Sequence, residues 1–496
     1  MTIESSPIAQ RYPRTGSRSL VAAVVLVCGT LLAAAAFVMP HARMVLLAAV
    51  VPAITFAVAA NRVRTGRVDY LEVFFPFSAL YFIYFGVGAV YLRIRPDALP
   101  SIYLRDYLFP ALGVTVLGYV AFAAAYEGFL SRAKRMQSVS LVPTGAMSVW
   151  VPGLIGFAGS MASVVQTRTV LARGGISAPI SALQQFRPVF FFAWALAWLI
   201  FFNRSARSSL RWAGVLGLLP MTFAIAFLTV GGKALVLTLA GLPVLAYWYA
   251  RRRLPAKTLL TVVLIGVFVI FPFYNTFRLQ DRKAPTINRL EVTMRTISRW
   301  DQDDYMRRSV FGFLDRMSVV SSVAAIVRET GRWVDYRYGE TLILAPIGLL
   351  VPRVLWPDKP NISIGREFGV TFNLVSALDK ETQIAATVVG DFYWNFHLPG
   401  VIVGMFLLGL GYKWFYRRFG AAAEGQSIRT AIYLTLLATT LHFEGNFAML
   451  VGGFLKTLAI LMALVFLMVR IGVLESSHRA DTPLPQGGPG ESPVTP

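Results

Sequence analysis

Long apolar runs, separated by short basic or Pro/Gly-bearing segments, set the pattern of this chain. Crossing a hydrocarbon core takes about 20 apolar residues in a helix. The pattern predicts spans over 20–39, 44–60, 70–92, 107–127, 147–166, 187–202, 212–230, 234–250, 258–276, 393–412, 429–443 and 447–470, the sixth and eleventh being short. Between the ninth and tenth the period changes. Ile287, Leu290, Met294 and Ile297 form one helical stripe, and Phe313, Met317, Val320, Ala324 and Val327 form a second. Both suit amphipathic helices resting on a membrane surface or on a helix bundle. Asp304 stands where it can cap the second helix. The run "TLILAPIGLLVP" is apolar but too short to cross, so it reads as a re-entrant or interfacial element.

These elements predict five regions: a polar tail (1–19), nine spans within 20–276, a large structured loop (277–390), three spans within 391–470, and a Pro/Gly/Ser-rich disordered tail (471–496). No internal repeat is visible. Composition agrees with the pattern. Of 496 residues, 56% are hydrophobic and 15% charged, against about 25% charged in soluble domains. The fold class expected is an all-α polytopic membrane protein with about twelve transmembrane helices.

Charge adds an orientation. Short segments on one side (around Arg11–Arg18, Arg62–Arg67, Arg132–Arg135, Arg204–Arg211, Arg251–Lys257, Lys413–Arg429 and Arg470–Arg479) carry more than twice the Lys and Arg of those opposite. The positive-inside rule then puts both termini in the cytoplasm and the 277–390 loop outside, long loops being exempt from the rule. The first run is too long for a signal-peptide core and reads as a retained signal anchor. The net charge of +22 is scattered between apolar runs, with no nucleic-acid module around it. It points instead to anionic lipids or phosphate-bearing substrates. Cys28 is the only cysteine and there are four histidines, so no disulfide or Cys-based metal site is expected. "DQDD" at 301–304 resembles a metal motif, but helix capping is the simpler reading, and no metal or cofactor is expected.

The candidate chemistry clusters in the outer segments. In "LVPRVLWPDKPNISIGREF" (350–368), closely spaced prolines stiffen the backbone around Trp356. That geometry either holds Arg353 and Lys359 at headgroup level to meet a lipid-linked phosphate, or serves as a structural plug. The hairpin "TLHFEGNF" places His442 and Glu444 beside a glycine turn. His442 reads as a general base, with Glu444 as the base or its orienting partner, or both are polar residues at the water boundary. Asp391 opens a helix, where capping alone explains an acid. Lys456 falls inside the twelfth span and faces either a substrate cavity or an internal ion pair.

The stretch "YGETLILAPIGLLVPRVLWPDKP…IGREFG" resembles the signature region of Wzy-type O-antigen and exopolysaccharide repeat-unit polymerases. "TVVGDFYWNFHLPGVIVGMFLLGLGY" is similar to a helix start of that family. "FLTVGGKALVL" is similar to its seventh-to-eighth helix turn, with Lys233 where the family has arginine. The resemblance covers about a third of the chain. It implies a GT-C-like, metal-independent membrane glycosyltransferase of the bacterial inner membrane, acting on undecaprenyl-diphosphate-linked oligosaccharides. A chain-length regulator (co-polymerase) and a flippase would be its partners. The diphosphate would be held by cations, for which the loop offers Arg316, Arg337, Arg353, Lys359 and Arg366, and shorter outer turns Arg173, Arg187 and Lys233. An O-antigen ligase with a lipid A-core acceptor shares the donor and architecture. A lipid-linked oligosaccharide flippase fits twelve spans but commonly shows two related halves.

Overall fold

The computed structural model describes residues 42–64, 69–128, 140–173, 178–203, 208–228, 233–251, 256–280, 286–344, 364–379, 382–420 and 427–477. The first expected span, Cys28, the loop cations Arg353 and Lys359, and the tail beyond Ser477 lie outside these residues.

Helices follow the apolar runs: α1 (Arg43–Arg64), α2 (Phe74–Ile94), α3 (Leu108–Gly128), α4 (Met147–Arg173), the short α5 (Ala178–Gln184), α6 (Arg187–Phe202), α7 (Ser208–Leu228), α8 (Lys233–Arg251) and α9 (256–279). The loop region contributes α10 (Thr286–Ser298), α11 (Gln302–Met317), α12 (Val320–Glu329) and α13 (Gly365–Thr371). Then come α14 (Val388–Phe415), α15 (Ser427–Thr440) and α16 (Phe447–Arg470). Among the described residues eight helices are long and apolar enough to cross a membrane, and α7 and α8 contain shorter apolar stretches. This is an all-α polytopic membrane protein.

Three details depart from the sequence reading. The second loop stripe breaks at Ser318, and α11 and α12 meet at a 41° bend. Because Val320, Val323, Ala324 and Ile326 are buried, α12 takes the second of the two placements its stripe allowed, resting on the helix bundle against α3. The α11 cap is Asp301, whose extended backbone lets its carboxylate accept from Asp304 N–H at 2.7 Å. In addition, the first residues of the expected disordered tail are ordered. β2 (Leu474–Ser477) pairs antiparallel with β1 (Ser140–Pro143), and Thr144 Oγ1 donates to the Val473 carbonyl at 2.8 Å.

With lipid outside, helices associate through close packing and interhelical polar bonds rather than by hydrophobic exclusion. Both are present. A Cβ on Gly156 would meet Phe190 N at 2.0 Å, and one on Gly409 would meet the Phe122 carbonyl at 2.4 Å, so α4–α6 and α3–α14 are in backbone contact. Tyr81 OH donates to the Thr115 carbonyl (2.6 Å) and Tyr119 OH to Ser78 Oγ (2.7 Å), tying α2 to α3. A stack of Phe77 on Phe122 (4.2 Å) with Phe443 (4.6 Å) fills the space between them.

One end of the bundle is closed by buried charge. Arg62 at the end of α1 donates to Glu72 (3.2 Å) and Glu127 (2.7 Å), and Lys413 lies 3.5 Å from Glu72. Asp69 accepts from Trp248 Nε1 (3.1 Å), Tyr249 OH (2.9 Å) and Tyr416 OH (2.9 Å). Helices α1, α3, α8 and α14 therefore converge on three carboxylates. We call this the lock end. The opposite end carries the loop region and the α15–α16 turn.

Candidate functional site

At the loop end, the start of α14 organises a buried polar cluster. Thr387 adopts φ 63°, unusual for a β-branched residue, and caps the helix by accepting from Gly390 N–H at 3.0 Å. One turn in, Asp391 is fully buried. Its Oδ1 accepts from Thr341 Oγ1 (2.5 Å) and Asn395 Nδ2 (3.1 Å), and its Oδ2 from Phe447 N–H (2.9 Å) at the start of α16. Asn395 lies four residues on, on the same helix face, and accepts from Gly339 N–H at 2.8 Å. The cluster thus binds α14, α16 and the 339–344 turn together. A buried carboxylate costs several kcal/mol unless hydrogen-bonded, and here both oxygens are bonded. Capping, the sequence reading for Asp391, is performed by Thr387 instead.

Around this cluster the backbone carries further left-handed residues, Tyr338 (φ 45°), Gly339 (φ 95°) and His397 (φ 54°). Such non-glycine conformations cost about 1–3 kcal/mol each and concentrate at functional sites. At His397 the helix breaks, two residues before Pro399, and the second half of α14 continues in a new direction.

Arg337 sits over the Trp394 ring at 4.4 Å and is paired with Glu340 (3.1 Å) and with Glu367. Partial burial opposes its charge, yet the two carboxylates outweigh that and raise its pKa above the ordinary arginine value. Arg316 in the last turn of α11 faces Glu444 at 3.5 Å. Thr387 N–H donates to the Glu444 carbonyl at 2.9 Å, which joins the α15–α16 turn to the same cluster. His442 Nδ1 lies 2.6 Å from the Ala438 carbonyl. A carbonyl only accepts, so Nδ1 carries the proton and Nε2 of the neutral ring keeps its lone pair. The expected His442–Glu444 pairing is not formed: Glu444 turns to Arg316, and His442 to its own helix.

The structure therefore brings Arg337 to the Asp391 cluster and joins the Arg316–Glu444 pair to it through the Thr387–Glu444 backbone bond, with His442 two residues from Glu444 in the same turn. Arg366 is engaged elsewhere in the loop region, donating to the Ala377 and Asp379 carbonyls at 3.1 and 3.3 Å. Arg173 ends α4, Arg187 begins α6 and Lys233 begins α8, all at the loop end but on helices outside the cluster. Lys456 lies within α16, half-buried. Sequence reasoning missed Thr341, Asn395 and His397. The i, i+4 spacing of Asp391 and Asn395 and the proline after His397 are the signals that could have found them.

Beside the cluster runs an apolar groove of about 610 Å³ between α14, α15 and α16. Leu342, Ile343 and Phe396 line it, as do Phe415 and Phe454 further along the helices. Its floor is the glycine face of α14: at Gly411 an added Cβ would meet nothing within 4 Å. Among the described residues no group of three or more His, Cys, Asp or Glu is arranged to hold a metal ion.

The sequence profile of a family described as a domain of unknown function (DUF8712) matches residues 161–476, well over half of the chain. No curated protein and no solved structure matches the chain.

Proposed function

This chain belongs to the DUF8712 family, and we propose that it is a membrane glycosyltransferase that polymerises lipid-linked oligosaccharide repeat units. The observation that carries the reading is the apolar groove along α14, whose lining begins at Leu342 and Ile343, next to Thr341 of the Asp391 cluster. A substrate with a long isoprenoid tail and a phosphate-bearing polar head matches that division. The motif resemblance to Wzy-type polymerases supplies the reaction.

In this reading the chain crosses the bacterial inner membrane about twelve times in a GT-C-like arrangement. Both termini are cytoplasmic and the loop end is periplasmic. The growing glycan leaves undecaprenyl diphosphate for a sugar hydroxyl of the next lipid-linked repeat. The acceptor oxygen forms a bond to the anomeric carbon as the bond from that carbon to the diphosphate oxygen breaks. The hydroxyl proton passes to a base, and the electron pair leaves with undecaprenyl diphosphate. His442 Nε2 is the base this chain offers. Arg316 and Arg337 exchange carboxylate partners for diphosphate oxygens, joined by Arg353 and Lys359.

The test is elongation by purified protein of undecaprenyl-diphosphate-linked repeats from the host, read as a ladder on a gel in the presence of EDTA. His442→Ala should slow elongation by about 10²- to 10⁴-fold, the usual worth of a general base, without changing yield. A ladder of undiminished intensity would remove His442 from the reaction. Transfer to lipid A-core instead of ladder growth would make the chain an O-antigen ligase, and flipping without transfer would make it a transporter.

A further inference from the structure

The loop end carries a row of rings that the proposed chemistry does not use. Tyr338 and Tyr336 lie 6.0 Å apart, Tyr336 and His397 6.2 Å, and His397 and Tyr393 4.6 Å. The row descends from solvent into the protein: Tyr338 is 75% exposed, Tyr336 and His397 are half-buried, and Tyr393 is buried two residues from Asp391. Trp333, 85% exposed, stands in the turn that precedes Tyr336. That turn is fixed, because the N–H groups of Arg332, Trp333 and Val334 all bond the Glu329 carbonyl at the end of α12. Two of the four rings sit on left-handed backbone, at Tyr338 and His397.

We propose that this row is a binding track for an oligosaccharide, along which the glycan reaches the Asp391 cluster. The proposal deepens the reading above, since it assigns where the sugar part of the substrate lies. A pyranose has a face of C–H bonds, weakly positive at its hydrogens, and an edge of hydroxyls. Aromatic faces carry negative quadrupole charge and accept the C–H face, while polar edges meet the hydroxyls. Both kinds of group are here. Tyr hydroxyls lie along the row, and Arg332 is anchored beside it, donating to Tyr107 OH at 2.8 Å. A lipid tail would instead want a continuous apolar lining, such as the groove at α14 provides. The 336–341 segment carries Tyr336 and Tyr338 of the row as well as Gly339 and Thr341, which bond Asn395 and Asp391 of the cluster, and the row has one buried and one open end.

The experiment uses the full chain in nanodiscs and oligosaccharides released by mild acid from the host's own surface polysaccharide. Binding is followed by intrinsic fluorescence and by calorimetry. Saccharide should bind, and Trp333→Ala and Tyr338→Ala, both at exposed positions that leave the fold alone, should each weaken binding at least tenfold. Trp333→Phe should retain most of it. No binding to the parent protein, or equal binding by the alanine variants, overturns the track. So does strong quenching of Trp333 by doxyl-labelled phospholipid, which would make these rings a membrane-interface belt. Elongation is read separately. Ring-dependent saccharide binding by a protein that builds no ladder leaves the track standing and sinks the polymerase. A normal ladder from both alanine variants does the reverse.

Discussion

Asp391 is fully buried, yet both carboxylate oxygens are satisfied by donors from three different chain segments. Its carboxylate is fixed in place by these donors and sealed from solvent. The physical role that follows is to hold α14, α16 and the 339–344 turn in one geometry. Asp391→Asn keeps the shape but turns an NH₂ toward groups that are themselves donors. An unsatisfied buried polar group costs about 1–3 kcal/mol, so the variant should unfold at lower temperature in detergent and elongate poorly. An unchanged melting temperature would show that the network is not holding these elements together. His442 presents the contrasting case. Its tautomer is set by one backbone carbonyl, and the ring itself is exposed, as the proposed role of base requires.

At the scale of elements, periodicity made most of the fold legible. The apolar runs mark the helices because lipid demands that the backbone satisfy itself within each segment. The sequence reading did not place the helix bends. The α14 break at His397 is signalled by Pro399 two residues on, whereas the α11–α12 break at Ser318 has no proline or glycine to mark it and is left to tertiary contacts. The site was half legible for the same reason. Arg316, Arg337, His442 and Glu444 stood out as charges in outer segments, but their partners depend on which turn meets which. The His442–Glu444 pairing, natural by spacing, loses to Arg316. The groove was invisible in the sequence, since glycines in an apolar helix signal packing as readily as open space. Gly411→Leu tests it: Gly411 lines the groove and a Cβ there meets nothing within 4 Å, so the fold should persist while apparent affinity for the lipid-linked donor drops about tenfold or more, in line with the loss of buried apolar contact. Gly404→Leu is the control for misfolding, because its Cβ would lie 2.6 Å from the Phe392 ring. Normal donor affinity in Gly411→Leu would move the lipid elsewhere.

For the whole molecule, the two ends differ in kind. The lock end is bound by buried ion pairs whose loss is expensive, since removing one partner leaves the other charge in a dry site at a cost of about 3–5 kcal/mol. Glu72→Gln, which deprives Lys413 and weakens the hold on Arg62, should lower stability by about 3 kcal/mol, the low end of that range. Adding Lys413→Met should recover part of the loss, and a double variant no better than the single would show that the Glu72–Lys413 contact is not coupled. The small β1–β2 sheet carries a different consequence, one of parity. Two strands that share hydrogen bonds lie on the same face of a bilayer, so the chain must cross an even number of times between Pro143 and Leu474. If α4, α6, α7, α8, α9, α14, α15 and α16 each cross once, as the sequence reading has it, the count is even only if the bent α11–α12 pair turns back, or if a return crossing follows it before α14. In a Cys28→Ala background, Gly145→Cys and Ser477→Cys should therefore label from the same side of sealed vesicles. Opposite labelling would require a strand to leave its partner, and with it the odd count.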